Sequence, residues 1–269
     1  MSTQPTLGFI GAGKLAGSVI RGLLRSEQWK PEQITASQPI EELRAELERE
    51  TGIKVFADNL SVVQSADTIL LGLKPSVVLP VLKEMAAALA GKLVISLAAG
   101  IRLPSMEATG AAHFLRAMTN TPSAICRGAT AVAPGSRNTN ADLQFAQKIF
   151  RAVGVVTVVT DQQIDAVTAL AGSGPAFVYT VIEALADGAK REGLDDDVAL
   201  TLATQTVLGA AQLAAESGRS PEELRIMVIT PGGTTAAGLA VMEKERTSAG
   251  LIAAVQAATA RGRELMSGN

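Results

Sequence analysis

The chain has 269 residues, a formal net charge of −2 and 19% charged residues, with Cys126 as its single cysteine and His113 as its single histidine. One cysteine excludes an intrachain disulfide, and one cysteine with one histidine cannot supply the ligands of a structural zinc site. The charge gives no general attraction to nucleic acid or to an anionic membrane, and the sequence lacks a signal pattern and an uncharged apolar run of roughly 18 residues. We therefore expect a cytoplasmic protein with no metal and with no nucleic-acid or membrane partner.

The first 160 residues alternate short apolar runs with helical stretches. The predicted strands are 7–11, 33–37, 53–56, 67–72, 93–97, 113–117, 129–132 and 155–159. The predicted helices among them are 14–26, 40–50 and 76–89. Near-continuous apolar runs that alternate with helices are typical of strands buried on both faces, so we expect an α/β fold with a parallel, doubly wound Rossmann-type sheet.

Only helical patterns follow residue 163. They lie at 164–191, with an interruption near 172–175, at 195–217, from 221, and at 234–246 and 248–266. Gly193 and Gly218 are expected to end the first two of these helices, and Ser220 to cap the third. The chain therefore divides into a dinucleotide-binding domain, residues 1–162, and an all-helical domain, residues 163–269. The longest of these helices would span roughly 42 Å, and its neighbours are rich in Ala, Val and Leu on several faces. One small domain cannot cover all of these faces, so we expect a homodimer with interlocked helical domains.

A glycine-rich turn is the first chemical signal in the chain. The segment Gly11-Ala12-Gly13-Lys14-Leu15-Ala16 fits the G-x-G-x-x-G/A pattern and stands between a predicted strand and a predicted helix. Glycines allow the tight turn and the close approach of a pyrophosphate, and the helix N-terminus offers free N–H groups to it. The alternative is a glycine turn that only packs; the strand and helix around it favour a dinucleotide site.

The end of the second predicted strand bears on which dinucleotide is bound. An NAD-selective site usually has a carboxylate there, whereas this strand ends in Ser37 and Gln38. Both side chains could donate hydrogen bonds to a 2′-phosphate, and Arg44, two turns along the next helix, reaches it only with favourable geometry. We expect NADPH, with NADH possible; an ordinary polar turn is the alternative for these two residues.

Two further segments end predicted strands, where open α/β sheets bind their ligands. Leu73-Lys74-Pro75 could place Lys74 against the cofactor, although a solvated loop lysine is equally compatible with the sequence. The segment Arg116–Pro122 combines hydroxyls with the amide of Asn120 and suits a nicotinamide and a small polar substrate. A plain turn is the alternative there.

Two segments of the helical region also indicate a binding site. In Pro231-Gly232-Gly233-Thr234-Thr235 the glycines free backbone N–H groups to form an anion nest before a helix, suited to a carboxylate. The alternative is a simple capping turn. The segment 172–175 would let the long helix bend beside the cofactor, with Ser173 lining the substrate pocket, or would break the helix for packing alone.

The chain resembles the Δ1-pyrroline-5-carboxylate reductases over essentially its whole length. The segments that carry the resemblance are 8–13, 73–75, 116–122, 171–176 and 231–235. The resemblance implies reduction of this cyclic imine to L-proline, the last step of proline biosynthesis, by hydride transfer from NAD(P)H. It also implies that the substrate carboxylate binds the 231–235 loop, that the Thr235 hydroxyl contacts the ring nitrogen, and that an active site joins one subunit's Rossmann domain to Thr235 of its partner. The assembly would be a homodimer or a ring of dimers.

The sequence departs from the family pattern at three positions. Leu15 stands where the family usually has Met, a conservative change for packing. Thr119 replaces a usual Pro, and we expect this to loosen the nicotinamide loop. Ile226 replaces an acidic residue ahead of the loop, while Thr230 keeps the hydroxyl of a usual Ser.

The chemistry is compatible with the shortage of histidine. A protonated iminium brings its own proton, so orientation, a dry site and a hydrogen-bond partner for nitrogen suffice, whereas ketone reduction needs a general acid. A 3-hydroxyacid dehydrogenase is the enzymatic alternative, but its catalytic Lys should follow the glycine segment closely, and Lys190 is far along the helix. A non-catalytic NADP-binding sensor would not need the 231–235 nest. We expect His113 and Tyr179 to pack and Cys126 to be structural or incidental.

The predicted site residues form three groups. Those expected to bind the cofactor are Gly11, Gly13, Lys14, Leu15, Ser37, Gln38, Leu73, Lys74, Pro75 and Asn120. Those expected to bind the substrate are Ser173, Thr230, Gly232, Gly233, Thr234 and Thr235, of which Thr235 is also the expected catalytic residue.

Overall fold

The computed structural model describes residues 5–267, with side chains up to residue 264. It contains two compact units, one formed by the chain up to Ser173 together with the segment from Gln256 onward, and the other by Gly174–Val255. This division lies later than the expected boundary at 162/163. Ile164 and Asp165 are buried in the first unit, and Ile164 packs in the apolar layer on one face of its sheet, which holds the start of the helical region there.

The first unit is built on an eight-stranded sheet with the order β3-β2-β1-β4-β5-β6-β7-β8. Its strands are β1 (Leu7–Ile10), β2 (Ile34–Ser37), β3 (Lys54–Phe56), β4 (Thr68–Leu71), β5 (Leu93–Ser96), β6 (His113–Met118), β7 (Gly128–Pro134) and β8 (Gly154–Val158). β1, β4 and β5 are buried along their whole length. Because apolar side chains alternate between the two faces of these strands, the sheet carries one apolar layer on each face.

One strand departs from the expected parallel sheet. β7 runs antiparallel to β6, while every other neighbouring pair is parallel. The prediction of a wholly parallel sheet is therefore wrong at this pair, although the doubly wound arrangement is confirmed. Only residues 119–127 connect the two strands, and a parallel pair needs a crossover of about a dozen residues or more.

The helices of the first unit cover both faces of the sheet. They are α1 (Lys14–Arg25), α2 (Glu41–Thr51), α3 (Asn59–Ser65), α4 (Pro75–Glu84), α5 (Ala86–Leu89), α6 (Leu103–Glu107), α7 (Asn140–Arg151) and α8 (Ile164–Val167). The helix expected at 76–89 is broken at Met85, where the backbone leaves helical geometry (φ −101°, ψ 9°). The short helices α3 and α6 and the helix α7 were not predicted.

The predicted interruption of the long helix is a π-helical turn, Thr168–Gly172, after α8. The second unit then begins with α9 (Gly174–Arg191), followed by α10 (Asp196–Glu216), α11 (Pro221–Met227), α12 (Thr234–Lys244) and α13 (Thr247–Ser267), whose last turns belong to the first unit. Gly193 and Gly218 have left-handed backbone, as expected for residues that end helices. Ser220 forms the expected cap, with its side chain accepting from the Glu223 N–H.

The second unit buries little apolar surface of its own. Among its described residues, the buried apolar side chains are Ala186, Ala199 and Ala203, with Ile182 and Ala189 packed against them. Large exposed side chains lie along α9 and α10, including Tyr179 at 55% exposure, so the expectation that Tyr179 packs is wrong for the single chain. By length and composition alone, two stretches, Asp161–Arg191 and Asp196–Glu216, could also cross a membrane, a test that core helices of soluble proteins pass too.

Candidate active site

The glycine turn joins β1 to α1 in the predicted strand–turn–helix arrangement. Gly11 has left-handed backbone (φ +82°), and Gly13 is the residue before the helix, with no atom within 4 Å of where a Cβ would stand. A Cβ on Gly72, at the end of β4, would collide with the Gly11 carbonyl oxygen. The turn is therefore packed tightly against the end of β4 and is open beside Gly13, which leaves room for a phosphate at the helix N-terminus.

A cleft of about 360 Å³ lies next to this turn, at the carboxyl ends of the strands. It is lined by Lys14, Leu15, Gly72, Leu73, Pro75, Leu97, Ala98, Ala99, Met118, Thr119, Asn120, Thr121, Thr168 and Gly172. Of the predicted cofactor residues, the structure thus brings Lys14, Leu15, Leu73, Pro75 and Asn120 together. The segment 97–99 was missed by sequence reasoning, although it follows a buried strand at the same edge of the sheet and this position could have identified it.

Lys74 and Ser173 line a second, larger cavity of about 770 Å³. Pro75, Ala99 and Thr168 line both cavities, so the two adjoin. Lys74 is the residue before α4 and Pro75 is its first residue, which directs the chain away from the strand as expected. The two predicted residues therefore stand beside the first cleft.

At the end of β2, the structure changes the interpretation of Ser37. Its hydroxyl donates to Asn59 Oδ1 at 2.7 Å and accepts from the Gly11 N–H at 3.1 Å, and the side chain is buried. Its one proton is already used, so the expected hydrogen bond from Ser37 to a 2′-phosphate is not supported by the geometry. Ser37 instead holds the glycine turn, and Asn59 is a residue that sequence reasoning missed.

The neighbouring Gln38 is in contact with the basic side chain of Arg44. Gln38 Oε1 accepts from the Ile40 N–H at 3.2 Å, and its backbone oxygen accepts from Arg44 Nη1 at 3.2 Å. α2 begins at Glu41, so Arg44 is in its first turn and not two turns along, as the sequence had indicated. Within residues 5–264 no carboxylate lies within 4.0 Å of Arg44. A positive charge therefore stands where an NAD-selective site would have an acid.

The loop after β6 is held by buried polar groups. Thr119 is 1% exposed, and its Oγ1 lies 3.0 Å from Ser123 Oγ and 2.7 Å from Thr130 Oγ1. Asn120 Oδ1 accepts from the Ala129 N–H at 3.0 Å. The expectation that Thr119 loosens this loop is wrong, because its hydroxyl ties the loop to β7.

Arg116, in the middle of β6, anchors the chain just before α8. The side chain is 1% exposed, and Nη1 donates to Asp161 Oδ1 at 2.6 Å. Arg102 donates to the Asp161 carbonyl at 2.8 Å and to Asp165 Oδ2 at 2.6 Å. Thr168 follows the anchored segment 161–165 and lines both cavities. Arg102 and Arg116 therefore fix the position of the cavity wall that contains Thr168. Sequence reasoning gave Arg102 and Asp161 no role.

The 231–235 loop leads into α12 in the second unit. Gly232 has left-handed backbone (φ +70°), and a Cβ on Gly233 would collide with the Thr230 side chain. Gly233 N–H donates to the Thr230 carbonyl at 2.9 Å, and Gly233 is the residue before α12, with no side-chain cap. The N–H groups of the first helical turn, starting at Thr234, therefore have no acceptor within the helix. Both glycines fit this geometry, and the anion site at these N–H groups stays a prediction.

The single histidine and cysteine lie outside the cleft lining. His113 is half-buried at the start of β6, at the opposite end of the strand from the cleft, with Nδ1 3.0 Å from Asp142 Oδ2. Cys126 has left-handed backbone and its thiol donates to the Gly22 carbonyl at 3.4 Å. Both contacts agree with the structural roles expected for these residues.

Both parts of the chain match families of known proteins. Residues 161–265 match the family model of pyrroline-5-carboxylate reductase dimerisation, and residues 6–100 match that of NADP oxidoreductase, coenzyme F420-dependent. The pyrroline-5-carboxylate reductase of Methanosarcina acetivorans is 42% identical over 262 residues, covering 96% of this chain and 97% of the relative. That of Pisum sativum is 41% identical, covering 98% and 97%.

Solved structures agree over the whole chain. A pyrroline-5-carboxylate reductase from Coxiella burnetii has a TM-score of 0.90 at 34% identity, covering 98% of this chain and 99% of that one. The Plasmodium falciparum pyrroline carboxylate reductase with NADP bound has a TM-score of 0.89 at 26% identity, covering 98% of each. Identity of about 40% over nearly the full length of both sequences leaves one conclusion: this chain is a member of the pyrroline-5-carboxylate reductase family.

Proposed function

We propose that this protein reduces Δ1-pyrroline-5-carboxylate to L-proline with NADPH. The observation that carries the proposal is the Pro-Gly-Gly-Thr-Thr turn at the start of α12, a carboxylate site in a chain that also has a dinucleotide turn. A protein that only sensed NADP would have no use for this second anion site. The names of the relatives support the same substrate.

The residues around the glycine turn fit the proposed cofactor. Gly11, Gly13 and the N-terminus of α1, with Lys14 and Leu15, would hold the pyrophosphate, while Gln38 and Arg44 would face the 2′-phosphate. Ser37 supports the turn because its hydroxyl oxygen accepts a hydrogen bond from the Gly11 N–H. Leu73, Pro75 and Asn120 line the cleft proposed for the nicotinamide. When bound, the reduced cofactor supplies the hydride.

The protein's own task is to orient the substrate and keep its nitrogen hydrogen-bonded. The N–H groups of the first turn of α12 would bind the carboxylate, with Gly232, Gly233, Thr230 and Thr234 shaping the turn. The Thr235 hydroxyl, half-buried in that turn, would contact the ring nitrogen. Because the imine binds as an iminium, the new amine needs no proton from a histidine, and orientation supplies most of the rate enhancement.

The proposal includes self-association in the cytoplasm. The match to a dimerisation family supports self-association, and the exposed apolar helices of the second unit offer the surface for it. We propose a homodimer, with a ring of dimers as the larger form, in which residues 163–269 make the interface. Thr235 of the partner subunit would complete the site of each Rossmann domain, 1–162, beside Ser173.

The direct test is NADPH oxidation on addition of pyrroline-5-carboxylate. We expect turnover with the imine, proline as the product, and no turnover with 3-hydroxyacids. Lys190, the one lysine of α9, lies near the end of that helix and pairs with Asp187 at 2.6 Å, far along the chain from the glycine segment. NADPH binding without turnover would indicate a sensor, and activity with 3-hydroxyacids instead of the imine would overturn the proposal.

Thr235→Ala tests the role given to this hydroxyl. We expect kcat to fall by roughly 10- to 100-fold, because the ring nitrogen loses its hydrogen-bond partner, while the Kd for NADPH changes little. Thr235→Ser keeps a hydroxyl and should recover most of the activity. Unchanged kinetics in the alanine variant would remove Thr235 from the mechanism.

A further inference from the structure

Three hydroxyl groups form a buried cluster behind the cleft of the first unit. Thr119 directly follows β6, Ser123 lies in the 3-10 turn Thr121–Ile125, and Thr130 lies in β7. All three side chains are buried, and Thr119 Oγ1 stands between the other two, 3.0 Å from Ser123 Oγ and 2.7 Å from Thr130 Oγ1. The cluster therefore joins three elements through one central oxygen.

Thr119 is the member of this hydroxyl cluster on which the others depend. Within residues 5–264, Ser123 Oγ and Thr130 Oγ1 each have Thr119 as their hydrogen-bond partner. Loss of the Thr119 hydroxyl would leave two buried polar groups unpaired, which is more harmful than the loss of one bond. Replacement of all three hydroxyls by apolar groups of similar shape would leave none unpaired.

Asn120, which follows Thr119, is held by hydrogen bonds to residues around the cluster. The Ser123 N–H donates to the Asn120 carbonyl at 3.1 Å, and the Asn120 side chain accepts from the Ala129 N–H at 3.0 Å and donates to the Ala171 carbonyl at 3.2 Å. Ala171 lies in the π-helical turn, whose Thr168 and Gly172 line the cleft. Asn120 therefore connects two walls of the cleft, the loop after β6 and the π-helical turn.

We propose that Thr119 is a positioning residue for hydride transfer, and that its buried hydroxyl, through Asn120 and the π-helical turn, holds the cleft walls at the reacting geometry. The proposal rests on the function proposed above. Thr119 lines the cleft, yet its hydroxyl is bonded to protein groups and acts through the loop. Displacement of reacting groups by about 1 Å can lower a rate by as much as ~100-fold, so a small shift of this loop is enough to matter.

The test compares four variants with the wild-type enzyme. Thr119→Val removes the central hydroxyl at constant shape, Thr119→Ser keeps it, and Thr119→Val/Ser123→Ala/Thr130→Val removes the whole cluster. The matched control is Thr51→Val, at a buried threonine in α2 whose hydroxyl donates to the Leu47 carbonyl away from the cleft. The readouts are Tm, Kd for NADPH, kcat, and the isotope effect on kcat with NADPH deuterated at the transferred position.

We expect Thr119→Val to lower Tm and to reduce kcat at least ~10-fold with the Kd for NADPH within ~2-fold of wild type. The triple variant should regain much of the Tm while kcat stays low and the isotope effect is larger than in wild type, because hydride transfer has become slower. Thr119→Ser should recover kcat, and Thr51→Val should change Tm alone.

Recovery of kcat along with Tm in the triple variant would overturn the proposal, since the cluster would then serve stability only. An unchanged kcat in Thr119→Val would overturn it as well. The wild-type enzyme is assayed first with pyrroline-5-carboxylate. A lack of turnover there defeats the proposed function itself, and this inference with it, before any variant is compared.

Discussion

At the scale of single residues, the proposed chemistry depends on hydroxyls and backbone N–H groups more than on ionisable side chains. His113 is paired with Asp142 at the far end of β6 from the cleft, and Tyr179 is exposed on α9. Neither is placed among the cleft residues. Reduction of a protonated imine tolerates this, because the substrate carries the proton that a ketone would have to receive from a general acid.

Arg44 should determine the preference for NADPH. Its guanidinium is held by the Gln38 carbonyl at the end of β2, where a 2′-phosphate would stand. We expect Arg44→Ala to raise the Kd for 2′,5′-ADP by about 10-fold, because a charge-assisted hydrogen bond is lost, and to leave 5′-ADP binding nearly unchanged. Calorimetric titration of the two nucleotides measures this difference without turnover.

Arg49→Ala is the control for Arg44, since Arg49 is exposed in the last turn of the same helix. It should leave both nucleotides unaffected. Equal weakening of 2′,5′-ADP and 5′-ADP by Arg44→Ala would show that Arg44 supports the fold of this edge and does not recognise the phosphate.

At the scale of elements, β6 organises the site. Its last residue, Met118, and the next residue, Thr119, line the cleft. Its middle holds Arg116 against Asp161, and its amino end places His113 beside α7. Since β7 returns antiparallel after a short connection, the loop between them is close to both strands. That is why a buried hydroxyl cluster can tie this loop to its neighbours.

The contact between β6 and α7 should make stability depend on pH. Asp142 Oδ2 accepts from His113 and from the Thr139 N–H and hydroxyl. Burial by itself raises the pKa of Asp142. The hydrogen bonds together lower it by more than that, so the net effect is a pKa below the ordinary 3.8. A depressed pKa stabilises the folded state above the unfolded pKa, and this contribution is lost as pH falls through the folded value.

Asp142→Asn should therefore lower Tm at pH 7, and the difference from wild type should shrink as the pH falls from about 5 to about 3. Thermal melts across this range measure it. Asp195→Asn is a suitable control, because Asp195 precedes α10 without a side-chain cap hydrogen bond. A Tm difference that stays constant with pH would assign the effect of Asp142→Asn to shape and not to charge.

At the scale of the whole molecule, the second unit is incomplete as a single chain. Its helices expose large apolar side chains along α9, α10, α11 and α12, and its own buried cluster consists of small alanines. Contiguous apolar surface of this kind marks an interaction site. The match of residues 161–265 to a dimerisation family supports self-association through this surface.

Leu208→Asp should break this assembly. Leu208 is 54% exposed on α10, so a charge there is harmless to an isolated chain but would be buried without a partner in a dimer. We expect a monomer by sedimentation and activity at least ~10-fold below wild type, because the proposed site takes Thr235 from the partner subunit. Leu43→Asp, at an exposed leucine of α2 in the first unit (45%), should leave the dimer intact. Full activity in a monomeric Leu208→Asp variant would contradict the shared site.

The features that the sequence determined by itself are local ones. The strand–turn–helix around Gly11 and Gly13, the helix ends at Gly193 and Gly218, and the cap at Ser220 follow from backbone freedom and side-chain chemistry within a few residues. The carboxyl-end location of the cleft could also be predicted, because parallel strands of a doubly wound sheet end at one edge.

Tertiary structure decided what depends on residues far apart in the chain. The Ser37 hydroxyl serves Gly11 and Asn59, 26 and 22 residues away, and Arg116 is committed to Asp161, 45 residues on. Thr119, which the sequence predicts to loosen its loop, is bonded to Thr130 on the next strand. A polar side chain in a sequence has many possible partners, and only the fold determines which of them lies within hydrogen-bond distance.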